Sequence, residues 1–435
     1  MAGKVVNGET IPGNFPGPDG LEKEITMSKE AGSLDEEFVK LALSINEHLP
    51  GYIDSYFGPE EWTQEAQRAG KLPLEDLSQR ADQLATNLSR VNDWDSQRKD
   101  FLAHQFSAMQ MSLRLLSGAN ISLADEAEAL YDVQPAWRDE VDFEEYQKLL
   151  DELLPEGGSL KERLGTWKKS LEVPVEKANE LLPFIVSTLR ELAHKRFSLP
   201  EYESFVVEFI SDQPWMAYNH YLGEYRSLIE INTDLPVWLD NLMITMAHEG
   251  YPGHHTELSI KDEKLVGQRG YQEHRLTLIN APSCVISEGI ARSALETLLT
   301  DQELEELYRE ELLPRAGLAH LDAKKIVEIT NAERKINGLW GNAAFMLHDQ
   351  KKSPEEVIAY LQKYEMSTDK EASRAIRFMS GPLDRSYIFT YTVGYDLLKE
   401  LFSMADRDKY FARLLEEPVT PSQIRQWIKT ESVSD

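Results

Sequence analysis

A mainly α-helical fold is what this 435-residue sequence predicts, and three observations predict it. Apolar residues recur at three- and four-residue spacing through long segments in both halves of the chain. The main stretch with strand-like alternation is short, residues 225–233. A content of 41% hydrophobic and 28% charged residues is that of a chain held together by packing rather than a disordered one. The length allows one large domain or two ordinary ones, with ample material for a core.

Taken in order, residues 1–33 are rich in Gly and Pro, carry no apolar period and predict an irregular N-terminal arm. Helical spacing begins in "SLDEEFVKLALSINEHL", with Phe38, Leu41 and Leu43, and returns in "FLAHQFSAMQMSLRLL", with Phe101, Met109, Met111, Leu113 and Leu116. It recurs in "KANELLPFIVSTLRELAHKRF", "PSCVISEGIARSALETLL", "PEEVIAYLQKYE" and "GYDLLKELFSMADRDKYFARLL", with Pro354 suited to a first helical turn. Turn-rich breaks at 154–159 and 211–215 suggest two parts, a helical lobe over 34–210 and a second lobe over 211–435. In "YRSLIEINT" Ile229 and Ile231 alternate with polar neighbours before "DLP" stops the pattern, so one strand or a small sheet precedes the next helix. That helix, over 236–247, sets Leu239, Leu242, Met243 and Met246 on one face.

Charge narrows the partners. Lys and Arg total 46 against 75 Asp and Glu, a net charge of −29 that repels phosphate backbones and anionic membranes. Neither nucleic acid nor a membrane is an expected partner. Cys284 is the one cysteine, so no intrachain disulfide forms. The first twenty residues lack the apolar segment of a secretory signal, and no stretch approaches the roughly 18 apolar residues of a membrane span. A cytoplasmic protein is expected.

The chemistry concentrates in "MAHEGYPGHHTE", residues 246–257, with three of the ten histidines and two glutamates. His248 and Glu249 open as in the H-E-x-x-H zinc motif, but Pro252 occupies the second histidine's place. A carboxylate late in a buried helix needs a partner, and a divalent cation provides one. In an unbroken helix His248 and His255 share a face but stand about 10.5 Å apart along the axis. Pro252 alters this, because its ring clashes with the carbonyl four residues back, that of His248, so the helix bulges or breaks. Gly253 relaxes the following turn, and His254, preferred over His255, can swing back beside His248. Zinc needs a third protein ligand, and Glu288 on a second helix offers it, with Glu296 two turns further on. Cys284, one turn before Glu288, reads as a small buried residue.

"HEGYPGHH", with "SEGIARSALE" and "YTVGYDLL" downstream and "INTDLP" upstream, resembles the bacterial family known as domain of unknown function 885. That family carries HExxPGHH, an EGWALYAE-type segment and a YKIG-like segment. It is in turn similar to the helical gluzincin metallopeptidases, such as carboxypeptidase Taq, angiotensin-converting enzyme and dipeptidyl peptidase III, the last with a stretched HExxGH. The resemblance is concentrated over residues 225–300 and 385–400. It implies a single zincin-like catalytic domain over 34–435, with a small sheet beside the active-site helix and a cleft between two helical lobes. It implies Zn2+ bound by His248, His254 and Glu288, Glu249 as general base on the metal's water, and Tyr391 as donor to the oxyanion, with Tyr387 and Tyr395 as alternatives. The implied activity is zinc-dependent hydrolysis of small peptides. The alternatives are a zinc hydrolase of another small amide or an ester, and a non-catalytic metal-binding protein. Ile290 and Ala291 stand where the family has Trp-Ala, which bears on substrate preference.

Among the other candidates, His220 and His348 read as structural. His274, Arg275 and Arg385 receive no role, and "DQELEELYREEL" reads as a solvated helix face.

Overall fold

The computed structural model describes residues 33–432 except 214 and 382, together with two short strands, Val5–Val6 and Glu9–Thr10. Apart from those strands and Ser33, the expected irregular arm, 1–33, lies outside the described residues. Helix accounts for 66% of the structure and strand for 8%, so the mainly α expectation holds at that level.

Helices form where the apolar spacing placed them: Leu34–Asn46, Ser96–Leu116, Val175–Arg196, Pro282–Leu298 and Pro354–Glu365. Pro282 and Pro354 occupy the first turns of theirs, where a missing N–H costs nothing. The last long segment is two helices, Ile388–Met404 and Arg407–Glu416. Asp406 leaves the helical path, and its carboxylate accepts from Lys409 N–H at 3.1 Å, which starts the second helix.

One strand or a small sheet was expected ahead of the motif, and Arg226–Asn232 is there. It is the middle of a larger sheet. Ser204–Ile210 runs parallel to it on one side, from Ser204 opposite Arg226 to Ile210 opposite Asn232. Ala217–Gly223 runs antiparallel on the other. The short strands Val5–Val6 and Glu9–Thr10 extend the edge beyond Ser204–Ile210. Val237–Trp238 pairs with Glu172–Val173 and leads into the motif helix, Leu239–Glu249.

The core falls into two clusters of buried side chains. One gathers residues from 38 to 143 with 276–285 and 339–389. The other gathers 146–260 with 286–332 and 397–428. Neither boundary coincides with the division at residue 210 read from the turn-rich stretch, because later segments return to the first cluster. Three helices belong to both clusters; Glu140–Leu153 has Phe143 in one and Leu150 in the other, and two more bear on the site. Pro282–Leu298, the carboxylate helix, contributes Val285 to one and Ile290 to the other. Ile388–Met404, the tyrosine helix, contributes Phe389 and Leu398 in the same way. They cross at two glycines: a Cβ on Gly394 would meet the Val285 carbonyl oxygen at 2.4 Å, and one on Gly289 the Gly394 oxygen at 2.9 Å.

Candidate metal centre

The motif helix ends where the sequence says it must. Its last residue is Glu249, and a new helix, His254–Lys261, begins four residues beyond Gly250. Between them the chain doubles back: Gly250 and Tyr251 N–H both reach the Met246 carbonyl, at 3.1 and 3.2 Å, and Gly253 N–H reaches that of Ala247 at 3.0 Å. Gly253 lies against the His248 carbonyl so closely that a Cβ would sit 1.8 Å from its oxygen, so no other residue fits. The sheet holds this turn from outside. Asn219 Nδ2 donates to the Glu249 carbonyl at 2.7 Å, and the Phe205 ring packs on Tyr251 at 5.0 Å and on His255 at 5.1 Å.

The two adjacent histidines part company here. The His254 ring stands edge-on to that of His248, with centroids 4.8 Å apart. Ligand atoms of His248, Glu249 and His254 all lie within 4.8 Å of one another. His255 is fully buried, with Nδ1 on Ser227 Oγ at 2.8 Å and Nε2 on Glu203 Oε2 at 3.0 Å. Both of its ring nitrogens are taken.

A chain of partners sets the tautomer of His254. Its Nδ1 lies 3.0 Å from Ser287 Oγ, and that hydroxyl donates its one proton to Glu257 Oε2 at 2.5 Å. Glu257, paired with Lys261 at 2.5 Å, is the acceptor. Ser287 must therefore accept from His254 Nδ1–H, which leaves Nε2 with its lone pair free.

Glu288 enters from the carboxylate helix. Tyr387 donates to its Oε1 at 2.8 Å, while Oε2 is buried without a hydrogen-bond partner among the described residues and stands 3.6 Å from His248 Nε2. Two ligand atoms on a tetrahedral zinc stand roughly 3.4 Å apart, given bonds of about 2.1 Å. The spacing of His248 and Glu288 thus suits one ion between them. Glu249, next in sequence to His248, is turned about 100° around the helix from it. Its carboxylate receives no hydrogen bond among the described residues, which suits a proton carrier beside the ion better than a second anchored ligand.

The electrostatics agree. Burial, then the charges of Glu288 and Asp54, push Glu249 well above the usual carboxylate range. Burial pushes Glu288 up to about 8, against the Tyr387 hydrogen bond and the Arg292 charge, with Asp54 and Glu257 adding to the rise. Burial, with His254 and Arg292 nearby, holds His248 well below the usual histidine range, and burial also lowers His254. Neutral imidazoles and unsatisfied buried carboxyl groups are what a divalent cation stabilises on binding.

The three tyrosines separate by partner. Tyr387 is committed to Glu288 and accepts from Cys284 Sγ at 3.3 Å. Tyr395 reaches Glu296 at 3.4 Å. Tyr391 lines a cavity of about 290 Å3 together with His248, Ala291, Arg292 and Tyr395. Leu295, from one core cluster, also lines it, while Tyr391 packs against the other, so the cavity sits at their seam.

The remaining sequence candidates have other partners: His220 with Glu230 at 2.9 Å, His348 with the Met379 carbonyl at 2.7 Å, Arg275 with Gln272 at 2.7 Å and Arg385 with Glu126. His274 stacks on Phe101 at 4.8 Å. Sequence reasoning missed Ser287, Glu257, Asn219 and Arg292. It also missed Asp54, which receives the Tyr218 hydroxyl and which burial pushes up to about 7. Only Glu257 carried a signal, since it closes the quoted motif.

No protein-family model matches the chain, and no curated protein is similar to it. The chain is similar in fold to a crystal structure described as "the putative lipoprotein from Colwellia psychrerythraea", at 14% identity and a TM-score of 0.51. The similarity covers 82% of this chain and 67% of that one.

Proposed function

We propose that the protein is a zinc-dependent metallopeptidase of helical gluzincin type that hydrolyses small peptides in a cleft at the seam of its two core clusters. The observation that carries this reading is the close set of His248, Glu249 and His254, with the buried, unsatisfied Oε2 of Glu288, outside that set, 3.6 Å from His248. Two imidazoles and one carboxylate are a donor set suited to zinc.

His248, His254 and Glu288 would hold the ion. When bound, zinc lowers the pKa of a water to about 7 and polarises a carbonyl. Glu249 takes the proton that the attacking water sheds and delivers it to the departing amine nitrogen, as the C–N bond breaks and the new C–O bond is complete. Tyr391 donates its hydroxyl to the substrate oxygen as that oxygen gains charge. Tyr387 orients Glu288, and the Glu257–Ser287 pair keeps the His254 proton on Nδ1. Three protein ligands with a cavity against His248 favour a catalytic over a closed structural site.

The test is metal analysis of protein purified without chelator or nickel, followed by cleavage of a mixed peptide library. Bound zinc near one equivalent, and products that vanish in Glu249→Gln while zinc is retained, are expected. Absence of zinc after supplementation, with His248→Ala folding unchanged, overturns the metal site. Bound zinc with an intact peptide library overturns the peptidase.

A further inference from the structure

Arg292 lies one turn beyond Glu288 on the carboxylate helix, about 6 Å further along the axis, and its side chain leans back toward that helix's N-terminus and so toward Glu288. It lines the same cavity as His248 and Tyr391. Its hydrogen bonds among the described residues both leave from Nη1, to Asn337 Oδ1 at 3.1 Å and to the Tyr391 carbonyl at 3.3 Å. Both acceptors are neutral. No carboxylate of the described residues lies within 4.0 Å of the guanidinium, whereas Arg334 on the same wall is paired with Glu296 at 2.9 Å.

A guanidinium presents five donors in a planar fork that matches a carboxylate. A partly desolvated cation with no directly paired anion is unfavourable: burial pulls Arg292 below its ordinary value against the opposing charge of Glu288, and Arg334 adds to the fall. This chain has 75 acidic residues against 46 basic ones, so an internal partner would have been easy to supply. Glu288 acts on it only at a distance and the Tyr395 ring lies 5.3 Å from its Cζ, so its Nη2 and Nε, which make no hydrogen bond among the described residues, can serve an anion from outside.

Resting on the metallopeptidase reading, we propose that Arg292 receives the C-terminal carboxylate of the substrate, so that the enzyme acts as a carboxypeptidase on short peptides. An extended chain advances about 3.3–3.6 Å per residue. A carboxylate held about 6 Å along the helix from a metal ligand therefore falls one or two residues past the scissile bond. A cavity of about 290 Å3 has room for that short leaving segment.

The experiment compares N-acetylated tri- to pentapeptides as free acids and as C-terminal amides. The wild type is expected to favour the acids by about 10- to 100-fold in kcat/KM, the range of a charge-assisted hydrogen-bonded pair. Arg292→Gln brings that ratio close to one, and Arg292→Lys keeps part of it. Equal rates on acids and amides in the wild type overturn the inference and leave the peptidase standing. If neither series is cleaved, calorimetric titration of the wild type with acetyl-Ala-Phe and its amide decides the point. Tighter binding of the acid, reduced in Arg292→Lys, sustains the carboxylate subsite without the peptidase; equal binding removes both. Thermal melting of each variant separates loss of recognition from loss of fold, and the wild-type ratio requires no variant at all.

Discussion

Two histidines one place apart illustrate how little a residue's type fixes its task. His255 spends both ring nitrogens on Ser227 and Glu203, and Glu203 also takes Arg190 at 2.7 Å and the Tyr251 hydroxyl. Removing its ring leaves a buried carboxylate short of a partner, so His255→Ala is expected to cost about 3–5 kcal/mol in denaturant unfolding with zinc binding retained once folded. His254→Ala should do the reverse, losing the metal while the fold melts close to the metal-free wild type. Equal zinc content in the two variants would contradict the division. The candidate site was legible in the motif to the extent of His248, Glu249 and Glu288, and the choice of His254 followed from what Pro252 does to a helix. The three tyrosines were not separable, because Tyr387, Tyr391 and Tyr395 share one helical face, and only their partners on another helix distinguish them. Ser287, Arg292 and Asp54 had no periodicity or spacing to mark them.

At the scale of elements, the crossing of the carboxylate and tyrosine helices sets how near Tyr387 can come to Glu288. Gly394→Ala puts a methyl carbon 2.4 Å from the Val285 carbonyl oxygen, and the helices must separate to admit it. A loss of about 1–3 kcal/mol in urea unfolding is expected from such overpacking. The motif helix holds a second testable feature in Asp240, far from the metal centre at the opposite end. Burial, then the charge of Glu333, raises it to about 6, with Lys168 acting against them. The folded protein therefore keeps this proton at pH values where the unfolded chain has shed it. Stability falls as pH rises from about 4 to about 6 and stays lower above. Asp240→Asn removes that decline, so the melting temperature of wild type relative to variant should drop across this window; a constant difference would refute the assignment. Helices were read well from sequence because each carries its own period. Ser204–Ile210 and Ala217–Gly223 were missed, since a strand is completed by a partner elsewhere in the chain. Yet Phe205 and Val207 do alternate inward, a period of two that a short apolar run obscured.

For the whole molecule, the two core clusters are interleaved along the sequence, so neither is one continuous stretch of chain. Segments 276–285 and 339–389 return to the first cluster after the second has begun. The proposed ligands sit on three helices, and the one bearing Glu288 belongs to both clusters. A cation bound there adds to the stability of the entire chain: at a thousand times its dissociation constant it contributes about 4 kcal/mol. Chelation should lower the melting temperature in a single transition, and added zinc should restore it. A melting curve indifferent to chelator would show that no such linkage exists.

The break between the motif helix and the helix of His254 bears on which ion the centre selects. In a motif carried on one unbroken helix, the helical repeat sets the bite of the two imidazoles, and it cannot be adjusted without unwinding the helix. Here the bite is set by a four-residue turn pinned by Asn219 and Phe205, neither of which offers a ligand. Reshaping those two positions adjusts the gap between the imidazoles with every donor still in place, and so offers a handle for favouring larger or smaller divalent ions.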